Sequence, residues 1–392
     1  MLLALGFLAA SILQGAIPVL APDLRAEEGL SSARVGLLMS AFLVAYAAGN
    51  VLAGGIAARR AGRVLAVGFT GMVLGALLFA FSSSYPWYAV ARGLQGAGAG
   101  TMLPAAGVLL VRCVPLDRLG RAWSIYGGAS GVGYLLLFLV LARIVEKGGH
   151  RPFFLVIAGL VAATGFVTFT SSRVRAGPPA GSARLTLPGL ASDMWLLVRS
   201  RRVTLLGLIN VAGITVAVGT LTWTPAYIHD QLGAGLGTAA ALTAGFAAAQ
   251  LVGAPIVAFL VTRVGYLPLL AGVFVAMAAA LVALPQLPGL FPTFLVVFFI
   301  GMLTMLAFAP SFALIPLLVE RRLVGLAGGY LNAFGFAGAL FGPWLFGVFI
   351  DQGWGYTRGF SMLALFAVAG LGAIEGLRRA MRSGRGPAGV VH

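Results

Sequence analysis

Residues 290–319 read LFPTFLVVFFIGMLTMLAFAPSFALIPLLV, thirty positions without one charged side chain. About 20 apolar residues suffice for a helix to cross ~30 Å of hydrocarbon at 1.5 Å per residue. This stretch is therefore long enough to span a bilayer. Its surplus length must be taken up by tilt, by bends at Pro310 and Pro316, or by projection beyond the lipid. The rest of the chain shares the bias: of 392 residues, 60% are hydrophobic and 9% charged, and mean hydropathy is +1.01. Soluble domains carry roughly 25% charged residues, so a soluble enzyme is excluded. The 56 glycines and 19 prolines are scattered through apolar runs, unlike collagen or a disordered segment. Cys113, the single cysteine, can form neither an intrachain disulfide nor a thiolate metal cage.

Working outward from that stretch gives twelve apolar runs, at 2–22, 34–58, 64–82, 86–113, 121–145, 152–172, 203–228, 236–262, 266–287, 290–319, 323–350 and 357–377. We number them spans one to twelve. The first lacks a basic leading segment and eleven others follow, so it reads as a retained helix rather than a signal peptide. The formal charge of +16 comes from 26 basic and 10 acidic residues, and all the basic ones except Lys147 are arginine. One side collects Arg59, Arg60, Arg63, Arg112, Arg118, Arg121, Arg173, Arg175, Arg184, Arg199, Arg201, Arg202, Arg263, Arg321, Arg322, Arg378, Arg379, Arg382 and Arg385. The other holds Arg25, Arg34, Arg143, Lys147, Arg151 and Arg358, with Asp23, Glu27, Glu28, Glu146, Asp230 and Asp351 beside them. This asymmetry predicts a multi-pass protein of a bacterial-type inner membrane with both termini cytoplasmic. The basic side then faces anionic lipid headgroups, and no nucleic-acid partner is expected.

The only long polar segment, 173–202, lies between spans six and seven and ends in a stretch from about Leu190 that suits an amphipathic surface helix. The expected organisation is a six-helix bundle over 1–172, a basic cytoplasmic linker over 173–202, a second bundle over 203–378 and a cytoplasmic tail over 379–392. The halves read as copies. Gly96 and Gly301, Gly120 and Gly325, Gly133 and Gly338, Glu146 and Asp351, and Gly148 and Gly353 are each 205 positions apart. Arg60-Ala61-Gly62 and Arg263-Val264-Gly265 repeat at 203. Duplicated halves around a midplane site are characteristic of secondary transporters.

Three motifs then carry a family resemblance. Gly55-Ile56-Ala57-Ala58-Arg59-Arg60-Ala61-Gly62-Arg63 follows span two, Arg92-Gly93-Leu94-Gln95-Gly96-Ala97-Gly98 lies in span four, and Gly338-x-x-x-Gly342-Pro343 lies in span eleven. Together with the six-plus-six pattern they resemble the major facilitator superfamily across nearly the whole chain. The resemblance implies an all-α membrane fold of twelve transmembrane helices in two pseudo-symmetric bundles, and alternating-access transport without a cofactor. The sequence departs from the family pattern at Arg59, where an acid is usual, and span five lacks the Gly-Pro step of the drug-antiporter signature. The resemblance also implies a gating role for Gly55, Arg59, Arg60, Gly62, Arg63, Arg263 and Gly265 in the two matching loops.

Arg92 is the one ionisable residue well inside a span, where an unpaired charge is costly. It is read either as a substrate-facing cation or as a residue that ties the fold together. No acid lies mid-span, and the nearest carboxylates that could bind a proton are Asp23 and Asp230. By the resemblance, spans one, four, seven and ten line the cavity, helped by two, five, eight and eleven. The candidate substrate-binding residues are accordingly Arg92, Gln14, Tyr46, Gln95, Tyr126, Trp223, Tyr227, Gln250 and Asn332, each of which could equally bond neighbouring helices. Catalytic and nucleotide motifs are lacking, so no enzymatic activity is expected. The reading is a secondary transporter, acting as a monomer, for a small organic solute. An organic anion is favoured because there is one buried cation and no buried acid. Export of drugs or other neutral or amphipathic compounds, or a non-transporting membrane sensor or assembly factor on the same fold, are the alternatives.

Overall fold

The computed structural model describes residues 2–114, 116–170, 187–320 and 323–383; within them the side chains at 55, 58–59, 111–112, 116–124, 187–191, 254, 258 and 325 are not described. Linker residues Arg173, Arg175 and Arg184, and also Arg321, Arg322 and Arg385, lie outside the described residues. All regular structure among the described residues is helical. Among the described residues, eleven helices are long and apolar enough to cross a membrane: Leu2–Ala26, Ser32–Gly54, Arg60–Phe81, Ile125–Gly148, His150–Thr170, Arg201–Leu232, Leu236–Val264, Tyr266–Gln286, Leu290–Leu318, Leu326–Asp351 and Gly355–Arg382. They are spans one to three and five to twelve. Span four is present as two shorter helices, Tyr85–Gly100 and Met102–Cys113, parted at Thr101. There the chain enters a turn just before Pro104, which has no N–H to continue the helical ladder.

Several spans are interrupted where the sequence suggests only apolar continuity. Span one breaks at Gly15 between Leu2–Gln14 and Ala16–Ala26, next to Pro18, whose missing N–H leaves the Gln14 carbonyl without its helical donor. Span five passes through a π-helical turn at Leu137–Leu141, a local widening that recurs at functional sites. Spans two and three, expected to be joined by a loop around 59–63, instead run on as one helical segment, Ser32–Phe81, bent at Arg60 (φ −139°, ψ 43°).

Glycine sets the closest approaches. A Cβ at Gly96 in span four would run into the Phe42 carbonyl of span two, and a Cβ at Gly301 in span ten would run into the Phe246 carbonyl of span eight. Gly49 against the Ala97 carbonyl has its counterpart in Gly253 against the Met302 carbonyl. Corresponding residues are 204 or 205 positions apart, so the repeat read from sequence reappears as a repeated contact. In lipid such backbone approach, rather than hydrophobic exclusion, is what binds helices together. Within each half the pairing is also alike: spans two with four and three with six in one, spans eight with ten and nine with twelve in the other.

The halves touch along spans two and eleven, five and eight, and one and seven. We call the end of the bundle opposite the chain termini the far end. From there the seam between spans two and eleven descends through several contacts. The Asp351 carboxylate accepts from the backbone N–H of Ser32 and Ala33 at 2.8 and 2.7 Å. The Pro343 carbonyl fills the space beside Gly36, the Ser40 hydroxyl donates to the Leu340 carbonyl at 2.6 Å, and the rings of Tyr46 and Phe336 lie 4.8 Å apart. Nearer the termini, Gly54 and Gly329 have open space where a Cβ would stand. The seam is thus closed from the far end to mid-span. Between the halves in sequence, helix Leu187–Arg199 packs on spans seven and eleven. It buries Leu197, leaves Trp195 and Leu196 exposed, and stacks Arg199 over the Trp195 ring at 4.8 Å.

Candidate functional site

Arg92 reaches the middle of the first half from span four, where oxygen acceptors meet Nε and Nη1. Nη1 donates to the Leu13 carbonyl at 2.8 Å and to Gln95 Oε1 at 2.7 Å. Nε donates to the Leu38 carbonyl at 3.4 Å, Nη2 approaches the Met39 sulfur at 3.8 Å, and the guanidinium lies 4.4 Å from the Phe42 ring centroid. Gln95, three residues on and one turn away, passes the chain of bonds to the Gly75 carbonyl of span three at 3.0 Å. Both side chains are 0% exposed. One cation thereby ties spans one, two and four together, and through Gln95 span three as well, directly behind the break at Gly15.

In front of that cage lies a cluster of hydroxyls and amides at the seam between the halves. Tyr46 and Asn50 are four residues apart on span two and so share a helix face. Asn332 comes from span eleven. The Tyr46 hydroxyl meets both side-chain amides, but neither buried Nδ2 atom, of Asn50 or of Asn332, reaches a partner with full hydrogen-bond geometry. Tyr46 also packs on Phe42 and Phe336. Tyr126 of span five stacks on Phe7 of span one at 4.5 Å. The ring of Tyr134 lies where a Cβ at Gly15 would come within 2.8 Å of it. Gln14 is half-buried next to that break.

The second half contributes more scattered groups. Trp223 of span seven is wholly buried and donates Nε1–H to the Pro343 carbonyl at 2.9 Å. Tyr227 reaches the Leu284 carbonyl at 3.4 Å, and Gln250 donates to the Thr304 hydroxyl at 3.2 Å. The Thr215 and Thr220 hydroxyls of span seven are buried without a partner. Arg92 and Gln95 are thus gathered in the first-half cage and Tyr46 and Asn332 at the seam, whereas Trp223 bonds the backbone of span eleven that lines the seam and Tyr227 and Gln250 bond elsewhere within the second half. Asn50 and Tyr134 were not singled out from sequence. The available signal for Asn50 was its i,i+4 spacing from Tyr46; its juxtaposition with Asn332 has no local signature.

The carboxylates lie at the far end. Asp23 faces the backbone N–H of His150 at the start of span six, with its buried Oδ2 unbonded. His150 Nδ1 lies 4.0 Å from Asp23 Oδ2 and 3.9 Å from Glu28 Oε1, and the Tyr88 hydroxyl lies 3.5 Å from His150 Nε2. Asp230 is held differently, by Arg25 at 2.6 Å and the Tyr356 hydroxyl at 2.6 Å. Of the loop residues, Arg60 occupies the bend between spans two and three, Arg63 is exposed and Gly62 half-buried, while the Gly55 and Arg59 side-chain positions are not described. Arg263 stacks on Phe259 at 4.9 Å, and Gly265 turns the chain between spans eight and nine at φ +78°. A groove of about 1180 Å³, lined mainly by apolar residues of spans nine, eleven and twelve, shares no residue with the central cluster.

Comparison with known proteins agrees with this architecture. A family model described as Major Facilitator Superfamily matches residues 2–242. The chain is 27% identical over 393 positions to the probable sulfoacetate transporter SauU of Cupriavidus necator, covering 92% of this chain and 88% of that one. A shorter match of 133 positions, 33% of this chain and 26% of the relative, is 30% identical to the synaptic vesicular amine transporter of Mus musculus. Among solved structures, a bacterial homologue of the human lysosomal transporter Spinster, in an inward-facing and occupied conformation, superposes with a TM-score of 0.79 at 16% identity, covering 99% of this chain and 98% of that one. A D-xylose–proton symporter superposes with a TM-score of 0.77 at 18% identity, covering 96% and 95%.

Proposed function

The chain belongs to the major facilitator superfamily, and from that premise we propose that it carries a small organic anion across the cytoplasmic membrane, its two six-span halves rocking about the seam at Tyr46, Asn50 and Asn332. The observation that carries this reading is the pair of side-chain amides, one from each half, that converge on the Tyr46 hydroxyl with buried Nδ2 atoms short of a well-formed hydrogen bond. A buried donor left unsatisfied costs about 1–3 kcal/mol. A carboxylate or sulfonate supplies acceptor oxygens for both donors at once and has none of its own to bury unpaired. Arg92 acts from behind the seam as a fixed positive charge in a medium of low dielectric, favouring an anion without touching it. The relative named for sulfoacetate, an anion with both a sulfonate and a carboxylate, supports the same class.

In this scheme Asn50 joins Tyr46 and Asn332 as binding residues, with Gln14, Tyr126, Trp223, Tyr227 and Gln250 shaping the surrounding site and Gln95 orienting Arg92. Asp23 is the group available to take up a proton, because Asp230 is committed to Arg25 and Tyr356. The bend at Arg60 with Gly55, Arg59, Gly62 and Arg63, and the turn at Arg263 and Gly265, act as hinges at the cytoplasmic face, where the basic residues meet anionic lipid. The match to an amine transporter over a third of the chain favours a second reading, transport of amphipathic amines. A cationic cargo calls for a carboxylate near the seam, and the sequence offers none at that depth.

The test is thermal unfolding of the detergent-purified chain against short sulfonates, short carboxylates, sugars and lipophilic amines. A ligand at 100 times its Kd stabilises by about 2.7 kcal/mol. The expected result is stabilisation by sulfonates or carboxylates alone, lost in Asn50→Ala and Asn332→Ala. Stabilisation by lipophilic amines alone would sink the anion reading.

A further inference from the structure

We propose that Asp351 and Glu146 are gate residues of the transport cycle, each holding the far end shut by seating its carboxylate on the start of a helix in the opposite half. The hydrogen-bond accounting at span two carries the case. The first turn of a helix leaves N–H groups with no partner in the helix. At span two, Ser32 and Ala33 donate to the two oxygens of Asp351, and Arg34 donates to Ser31 Oγ at 3.3 Å. The Val35 N–H then makes the first bond of the helical ladder, to the Ser31 carbonyl at 3.1 Å. Two of the three free donors of that turn are therefore satisfied by span eleven. The surrounding backbone leaves no slack, since a Cβ at Gly347 would run into the Ser32 carbonyl and a Cβ at Gly36 into that of Pro343.

A related arrangement, in position but without the hydrogen bonds, stands on the other side of the pseudo-dyad. Glu146 ends span five as Asp351 ends span eleven, 205 positions earlier, and span eight begins at Leu236–Gly237, 204 positions after Ser32–Ala33. The Glu146 carboxylate lies against that start: Oε2 is 2.7 Å from where a Cβ of Gly237 would stand, and Oε1 is 3.8 Å from that of Gly235. Glycine at these positions admits the carboxylate. A negative charge at a helix N-terminus is favoured by the partial positive charge there as well as by the N–H donors. When the halves rock apart at this end, the Asp351 cap and the Glu146 contact must both break. They favour one state of a two-state equilibrium and so set its population. Sequence reading alone assigns Glu146 and Asp351 to solvated helix ends; their juxtaposition with the opposite half appears only in the fold. The inference does not depend on what the transporter carries.

Pulsed electron paramagnetic resonance on the full chain in lipid nanodiscs tests this without substrate. On a Cys113→Ser background, spin labels go on Ser83→Cys and Gln286→Cys, exposed positions at the far end of opposite halves. Asp351→Ala should raise the ratio of the long-distance to the short-distance population about fivefold, as expected for loss of one helix cap. Glu146→Ala should raise it by less, since that carboxylate acts on the helix start through its charge alone. The double variant should exceed either. Asp351→Asn, which keeps one acceptor oxygen, should fall between Asp351→Ala and the parent and carries the test if the alanine variant does not fold. Glu375→Ala, at the exposed opposite end of span twelve, should leave the distances unchanged. Distance distributions that superimpose on the parent's, with only a lowered melting temperature, would reduce both acids to ordinary helix caps and overturn the proposal.

Discussion

Arg92 shows how one side chain can be both costly and indispensable. Its transfer into the bundle is tolerated because its fork meets two carbonyls and the Gln95 amide oxygen, while its planar face rests over Phe42. Removing it takes a donor from three buried acceptors, of which the Gln95 amide oxygen has no backbone donor to replace it. Arg92→Leu is expected to lower stability by about 3 kcal/mol in detergent thermal unfolding, and Arg92→Lys to recover less than half of it, because an ammonium lacks the planar fork. A loss under about 1 kcal/mol for Arg92→Leu would show that the cage does not hold the first half together. Trp223→Phe tests the corresponding bond in the second half. It keeps the ring stack on Phe346 at 5.6 Å but leaves the Pro343 carbonyl without its donor, so a loss of about 1–2 kcal/mol is expected by the same measurement.

At the scale of the helix, the repeated glycine–carbonyl contacts make a paired prediction. Gly96→Ala and Gly301→Ala should each destabilise by about 1–3 kcal/mol, since the Cβ meets backbone that cannot rotate away. Gly93→Ala, one turn from Gly96 with nothing within 4 Å, should be neutral or slightly stabilising, as alanine is the better helix former. Equal losses at all three sites in unfolding measurements would refute the close-packing account. The existence of the spans was legible because about twenty apolar residues have few other uses. Apart from the bend expected at Pro310 and Pro316, where span ten parts at Leu314, their interruptions were not. Apolarity is blind to the turn at Thr101 and to the π-helical stretch at Leu137–Leu141, and the basic residues around Arg60 read as a loop where the structure has a bend. Of the central site, polar residues inside spans were visible as such, but a linear sequence does not say which of them meet across the halves. Tyr46 and Asn332 are brought together, Trp223 turns out to bond the seam's backbone, and Asn50 becomes significant only beside Asn332.

At the scale of the whole molecule, the seam is a property of neither half alone. Besides the backbone caps, Arg25 and Asp230 join span one to span seven with a 2.6 Å ion pair whose side chains are 27% and 25% exposed, and Tyr356 donates to the same carboxylate. Partial exposure keeps such a pair modest. A double-mutant cycle with Arg25→Ala and Asp230→Ala should give a coupling of about 1 kcal/mol at low ionic strength, most of it gone in 1 M salt. A coupling that ignores salt would mean that the pair is far better shielded than its exposure indicates. The cap on span two has a different consequence, for the birth of the protein. Ser32 and the acid that completes its first turn are separated by 319 residues. At typical ribosomal speeds of about 5–20 residues per second, the nascent chain waits about 15–60 s for Asp351 to be made. Through that interval the start of span two must borrow acceptors from water or headgroups, so the early half enters the bilayer in a provisional form. A translation product that stops before span eleven would keep those two donors on such substitutes for good.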